Sequence, residues 1–215
     1  MSAGARNILR QALPLIPNHG FTRKCLSEAA SSMPGGPKFG DTEITALFGE
    51  GNAARRTLFQ AWLQEGLNNM GVTSTSSAGG SKLAVADLLK GRLRYNEPVI
   101  GYLPEAAAML AVTNVPLLFD PRPAAMHVSE IADQALHLSG DVSRGTQWYT
   151  RRGGLALAYA AAELHQMQSP ETAPAFLTRL LEDAQYMEDA VGNAVQFGGF
   201  FLNSWKGIIK SRGIY

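Results

Sequence analysis

The sequence predicts an all-α bundle of about ten helices, and three observations carry the prediction. Apolar residues recur at three- and four-residue spacing along most of the chain. Strict alternation over the length of a strand occurs nowhere. Proline and glycine fall between the periodic runs, where they start and stop helices. A chain of 215 residues, 46% apolar and 17% charged, is long enough to bury a real core as one domain with at most an appendage. The same balance excludes bulk disorder, which needs low hydrophobicity and high net charge.

Taken in order, Ile8, Leu9, Ala12, Leu13 and Ile16 make the inner face of a first helix. Pro14 kinks or shortens it, and Pro17 with Gly20 ends it. Thr22 can cap a second helix with Leu26, Ala29, Ala30 and Met33 inside. A loop of Pro34, Gly35, Gly36 and Pro37 follows, and Asp41 is expected to cap a short third helix with Ile44, Leu47 and Phe48 on one side. The long fourth helix begins after Asn52 and carries the clearest stripe of the first half: Leu58, Phe59, Trp62, Leu63, Gly66, Leu67 and Met70. The low-complexity stretch STSSAGGS, residues 74–81, is expected to be a flexible link.

Val85, Leu88, Leu89 and Leu93 mark a fifth helix that stops near Pro98. Pro104 suits the first turn of a sixth, through Met109 and Leu110. Pro116, Pro121 and Pro123 break the chain before a seventh with Val128, Ile131, Ala132, Ala135 and Leu138. An alanine-rich eighth carries Leu155, Ala158, Tyr159 and Ala162. Pro170 and Pro174 introduce a ninth with Leu177, Leu180, Leu181 and Ala184, and a tenth runs from about Asn193 to Lys210.

Composition narrows the chemistry. With 19 basic and 18 acidic residues the net charge is +1, which is too little for non-specific coating of nucleic acid. The single cysteine, Cys25, excludes an internal disulfide framework and a cysteine-rich zinc site, and suits a reducing compartment. The longest apolar runs, such as Leu155 to Ala162, fall far short of the ~20 residues that span a bilayer. No secretory apolar region follows Met1, so any targeting segment is expected to be absent or removed. The histidines, at 19, 127, 137 and 165, form no Glu-x-x-His pair, and read as solvated or core side chains. Glu163 and His165 point to different helix faces. No nucleophile elbow, phosphate loop or dinucleotide fingerprint occurs. Nothing here points to an enzyme, a metal or a cofactor.

Three short helices and then a long one is the order of a helix-turn-helix unit of the tetracycline-repressor type. The third helix of such a unit reads base edges with Arg, Lys, Asn or Gln. Here that helix carries Asp41 and Glu43 and no basic residue, with only Lys38 and Arg55 flanking it. Residues 1–50 are therefore expected to be a packed three-helix unit that does not bind DNA. Residues 51–190 would form the main bundle and 191–215 a terminal amphipathic helix. A ligand-responsive transcription repressor is the alternative reading.

The segment GDVSRGTQWYTRR, from Gly140 to Arg152, leads into an alanine-rich helix with Tyr159 and Glu163, and then into PAFLTRLLED from Pro174. This ordered series resembles the mitochondrial coenzyme Q (ubiquinone) biosynthesis accessory family that is ninth in the pathway's naming. RNILRQALPLIPNHGFT near the start and ALFGEG at Ala46–Gly51 extend the resemblance over nearly the whole chain. It implies a tetracycline-repressor-like fold, no enzymatic chemistry and a homodimer. It implies binding of isoprenoid quinone intermediates and phospholipids, and their presentation to the demethoxyubiquinone hydroxylase within the wider ubiquinone synthesis complex. The place implied is the matrix face of the mitochondrial inner membrane, as a peripheral protein.

Three sets of residues are candidates. Trp148 and Arg152 lie four apart on one helix face, where a cation–π contact can form, and Tyr149 points about 100° away. They are either a core anchor at a helix start or an exposed hot spot, and the resemblance implies that they bind the hydroxylase. Leu155, Tyr159 and Ala162 face inward. With Leu88, Met109, Leu110 and Phe176 they form either ordinary core or, as the resemblance implies, the wall of a lipid cavity.

The tail needs no resemblance. Phe197, Phe201, Leu202, Trp205, Ile208 and Ile209 share one broad face, while Lys206 and Lys210 stand on the other. Aromatics on one side and lysines opposite describe a helix lying in a membrane interface. Packing on its own domain or across a dimer is the alternative.

Overall fold

The computed structural model describes residues 2–33, 39–76, 83–111 and 120–186. Among these residues the secondary structure is all helical: α1 (Ala3–Ala12), α2 (Ile16–His19), α3 (Arg23–Ser31), α4 (Asp41–Phe48), α5 (Ala53–Ser76), α6 (Val85–Asn96), α7 (Leu103–Ala111), α8 (Arg122–Ser139), α9 (Thr146–Gln166) and α10 (Ala173–Tyr186). The all-α expectation holds. The terminal helix expected over 193–210 lies outside the described residues.

Proline and cap chemistry set the boundaries of the first half. Ser2 Oγ accepts from Ala5 N at 3.2 Å and starts α1. Pro14 turns the chain through a 3₁₀ segment, Leu13–Leu15, so the expected first helix divides into α1 and α2. Gly20, at φ 62, ends α2 in a left-handed conformation that the ring of Tyr102 crowds. Thr22 Oγ1 caps α3 as expected, accepting from Cys25 N at 3.2 Å.

Four local expectations are corrected. Gly40, not Asp41, is the N-cap of α4, because the Glu43 carboxylate reaches back to Gly40 N at 2.8 Å. Asp41 instead accepts from Arg23 Nε at 2.6 Å. Leu47 is 36% exposed, because Ile44 and Phe48, one turn apart, already fill the inner side of this short helix. Residues 74–76, expected to open a flexible link, are instead the helical end of α5, and the rest of that stretch lies outside the described residues. Pro123 does not break the chain but sits in the first turn of α8, where its missing N–H has no partner to lose.

Two apolar clusters result. The first joins α1–α4, the first half of α5 and α7, with Phe21 packed edge-on against Phe59 at 4.9 Å. The second joins the latter half of α5 to α6, α8, α9 and α10, with Leu89, Leu93, Ile131, Tyr159 and Leu177 fully buried. Helix α9 packs against both α8 and α10. Helix α5 serves both clusters, and the seam between them is where polar side chains are buried.

Candidate functional site

The seam is built from α6 outward. Leu88, Arg92 and Asn96 are spaced by four along one face of α6, so two polar residues enter the core with their apolar neighbours. Arg92 is 1% exposed. Its Nη1 donates to Asn96 Oδ1 at 2.7 Å, and its guanidinium lies 5.3 Å from the centre of the Tyr95 ring. Trp62 Nε1 of α5 reaches the same Asn96 oxygen at 3.4 Å. Asn96 Nδ2 donates in turn to Glu163 Oε1 of α9 at 3.0 Å, and the Tyr159 hydroxyl donates to that oxygen at 3.3 Å. His127 Nε2 of α8 stands 3.7 Å from Glu163 Oε1, an ion-pair distance rather than a hydrogen bond. Gly66 makes the room, because a Cβ there would fall 2.7 Å from Arg92 Cζ.

Charge follows from these neighbours. Burial pushes the Glu163 carboxyl up, but His127, Arg92 and Asn96 together more than offset it and hold the group below the ordinary carboxylate range. Burial pushes the Tyr159 hydroxyl well above its usual value, so it stays a donor. Beside His127 and Glu163 lies a cavity of about 20 Å³, otherwise walled by apolar side chains including Phe59, Leu63, Leu103, Leu110, Val128 and Met167.

A second feature is at the surface, where the α8–α9 turn aims the start of α9. Gly140 closes α8 at φ 73, with Asp141 N bonded to Leu136 O at 3.0 Å. Asp141 accepts from Ser143 Oγ at 2.5 Å and Arg151 Nη1 at 2.8 Å. Its carboxyl is held low, first by the Ser143 hydroxyl and also by Arg151, against a smaller effect of burial. The Arg152 guanidinium then lies 5.0 Å from the Trp148 ring centre, and Arg152 Nη2 is tied to Asp133 Oδ2 of α8 at 2.5 Å. Trp148 is half-buried and belongs to neither apolar cluster. Tyr149 is 70% exposed, yet its ring meets Trp148 edge-on at 4.8 Å.

The inward candidates are divided between the clusters. Leu88, Tyr159 and Ala162 are buried in the second, and Leu155 and Phe176 pack partly buried against it. Phe176 also stacks on His165 at 4.6 Å. Met109 and Leu110 belong to the first cluster, and of the seven only Leu110 lines the cavity. Phe197, Phe201, Leu202, Trp205, Lys206, Ile208, Ile209 and Lys210 lie outside the described residues. Sequence reasoning missed Arg92, Asn96, His127 and Glu163 as a group. The signal was present in α6, where Arg92 and Asn96 share a face with Leu88, Leu89 and Leu93.

Two described basic residues near α4, Arg23 and Arg55, are engaged within the fold. Arg23 bonds Asp41, Thr45 and the Gly49 carbonyl, and Arg55 bonds the Phe21 carbonyl at 2.9 Å and Glu105 at 2.5 Å. Among the described residues no group of three metal-binding side chains forms, and no helix is long and apolar enough to cross a membrane.

Fold and site together define a helical bundle protein with a polar seam inside and an aromatic corner outside. Residues 122–188, which hold α8, α9 and α10, match the COQ9 family model. Over these residues, and more weakly along nearly the whole chain, the protein is similar to the COQ9 family. It is similar to "Ubiquinone biosynthesis protein coq9, mitochondrial" of Schizosaccharomyces pombe, 28% identical over 216 residues, covering 96% of this chain and 80% of that protein. The namesake from Bos taurus is 29% identical over 199 residues, covering 89% of this chain, and that from Homo sapiens 28% over 200 residues, also 89%. The match spans 57% of the length of each of these two mammalian proteins. These relatives support a role in ubiquinone biosynthesis and a mitochondrial setting.

Proposed function

We propose that this chain is a non-catalytic accessory protein of ubiquinone biosynthesis. It takes up an isoprenoid quinone intermediate in the bundle of residues 51–190 and presents it to the demethoxyubiquinone hydroxylase at the matrix face of the mitochondrial inner membrane. The observation that carries this reading is the corner formed by Trp148, Tyr149 and Arg152. Trp, Tyr and Arg dominate binding hot spots, and a ring fixed by a tethered guanidinium loses little freedom on docking. Nothing in either core cluster needs these rings.

The other parts of the proposal rest on the inward set and the tail. Leu88, Leu155, Tyr159, Ala162 and Phe176, with Met109 and Leu110 across the seam, would face the lipid chain. A cavity of about 20 Å³ is room for one water-sized group, so uptake requires the helices to part. Residues 1–50 would serve as a tetracycline-repressor-like packed unit without a nucleic-acid partner. Residues 191–215 would lie on the membrane, and two copies would form the working dimer.

Titration of the hydroxylase tests the docking surface. Trp148→Ala or Arg152→Ala should weaken binding by about 2 kcal/mol, roughly thirtyfold, with little change in melting. Unchanged affinity overturns the docking surface. A melting point lowered by many degrees makes Trp148 a structural anchor instead. Extraction and mass spectrometry of the purified protein should find an isoprenoid or phospholipid, and protein that is clean of lipid speaks against uptake.

A further inference from the structure

The first turns of α9 are held from two directions. Arg151 and Arg152 are neighbours in sequence, so their side chains leave the helix about 100° apart. Arg151 Nη1 turns back to Asp141 Oδ1 in the α8–α9 turn at 2.8 Å. Arg152 Nη2 crosses to Asp133 Oδ2 on α8 at 2.5 Å. The first tie aims the backbone of α9, because Asp141 is itself anchored by Ser143 and by its own N–H on Leu136 O. The second tie holds a side chain. It fixes the Arg152 guanidinium 5.0 Å from the centre of the Trp148 ring, one turn back.

A series of contacts thus runs from Asp133 through Arg152 to Trp148, and from Trp148 edge-on to Tyr149 at 4.8 Å. Its outer end is the proposed docking surface. Its inner end, Asp133, lies on the wall of an open groove between α5 and α8, with Gln64, Glu130, Gln134 and His137.

The tie matters more to the ring than to the fold. The Asp133 and Arg152 side chains are 40% and 29% exposed, and a pair so open to water and salt adds little to folding stability. Untied, the long arginine stem has many rotamers open to it. Trp148 is half-buried and outside both apolar clusters, so core packing does not fix its rotamer either. A ring that moves in the free protein must be ordered on docking, and that ordering is subtracted from affinity.

Glu130 sharpens the assignment. It stands three residues before Asp133 on the neighbouring turn of α8 and lines the same groove, yet it makes no ion pair among the described residues. Two carboxylates share the charge of the groove, and one of them holds the guanidinium.

We propose that Asp133 is a positioning residue for docking: by holding Arg152 it fixes the Trp148 ring in the orientation that the hydroxylase meets. This rests on the docking surface proposed above and adds the residue that stands behind it.

Two measurements on the full chain test it. The first needs no partner. NMR relaxation of the Trp148 indole N–H, identified by its loss in Trp148→Ala, should report an ordered ring in the wild type and in Glu130→Gln, and a clearly more mobile one in Asp133→Asn. The second is titration with the hydroxylase. Asp133→Asn should weaken binding about three- to tenfold, and Glu130→Gln by about twofold at most. In a Trp148→Ala background Asp133→Asn should change affinity by about twofold at most, since the ring that it positions is gone. A Trp148 ring as rigid in Asp133→Asn as in the wild type overturns the positioning role. Equal weakening by Asp133→Asn with and without Trp148 also overturns it and makes Asp133 a direct contact. Glu130→Gln that weakens binding as much as Asp133→Asn overturns it in favour of a general charge effect, and Asp133→Asn that melts many degrees lower makes the pair a structural strut. Asp133→Asn that binds as the wild type does while Trp148→Ala binds weakly overturns the positioning role and leaves the docking surface standing. Trp148→Ala that binds as tightly as the wild type overturns the docking surface, and the proposal with it.

Discussion

Tyr159 and Glu163 stand one turn apart on α9, and the Tyr159 hydroxyl donates to Glu163 Oε1 at 3.3 Å. Asn96, 67 residues earlier, donates to the same oxygen at 3.0 Å. One carboxylate thus ties α9 to itself and to α6, with His127 drawing in α8.

Acid should loosen that tie. Burial raises the Glu163 carboxyl, but His127, Arg92 and Asn96 leave it below its ordinary value of 4.5. A group depressed in the folded state contributes stability above its unfolded value and loses it as pH falls through the folded one. Glu163→Gln should therefore cost about 1.5–3 kcal/mol at pH 7. The gap to wild type should narrow as pH drops below about 4. Urea unfolding across a pH series measures this, and a gap that stays constant down to pH 3 contradicts it.

Gly66 is a packing glycine. A methyl group there would stand 2.7 Å from Arg92 Cζ and 2.8 Å from Nε, inside any real contact. Gly66→Ala should lose about 1–3 kcal/mol through overpacking, despite the better helix propensity of alanine. Thermal melts decide the sign, and a more stable variant would show that Arg92 moves aside freely.

Gly153 and Gly154 are the opposite case. Both lie within α9, and a Cβ at either meets nothing within 4 Å. Alanine at each should add up to about 1 kcal/mol. Stabilised protein that binds the hydroxylase less tightly would mean that a partner backbone comes close to this turn of α9. Unchanged affinity would leave the glycines without a docking role.

Cys25 should be inert in the native protein. The thiol is buried, with Sγ 3.6 Å from the Ala12 carbonyl. Burial first, and Glu28 second, push its pKa up to about 11. At pH 8 roughly one molecule in a thousand carries the reactive thiolate. Maleimide or a disulfide reagent should label it only at the rate of unfolding, and rapid native labelling would show that α3 opens on its own.

How far the sequence foretold this depends on the range of the interaction. Pro14, Thr22 and Pro104 act within a few residues, and each fell where its chemistry required. The Trp148–Arg152 contact was equally legible, being one turn of one helix. Asp41 misled because two residues near the start of α4 can satisfy its first turn, and the longer Glu43 side chain does so. The seam was hidden for a different reason. His127, Asn96 and Glu163 come from three helices, and no periodicity within one helix records which neighbour it will meet. Arg92 and Asn96 on an apolar face gave warning of a buried polar group, but not of its partners.

Helix α5 is a single rod of 24 residues, about 36 Å long. Phe59 and Trp62 in its first half belong to one cluster, and Leu67 and Met70 in its second half to the other. Heat therefore cannot melt either cluster without stripping half of this rod, and an unsupported half-rod is marginal in water. The two clusters should share one calorimetric peak, and a destabilising change in α1 should lower the melting of α10 by the same number of degrees.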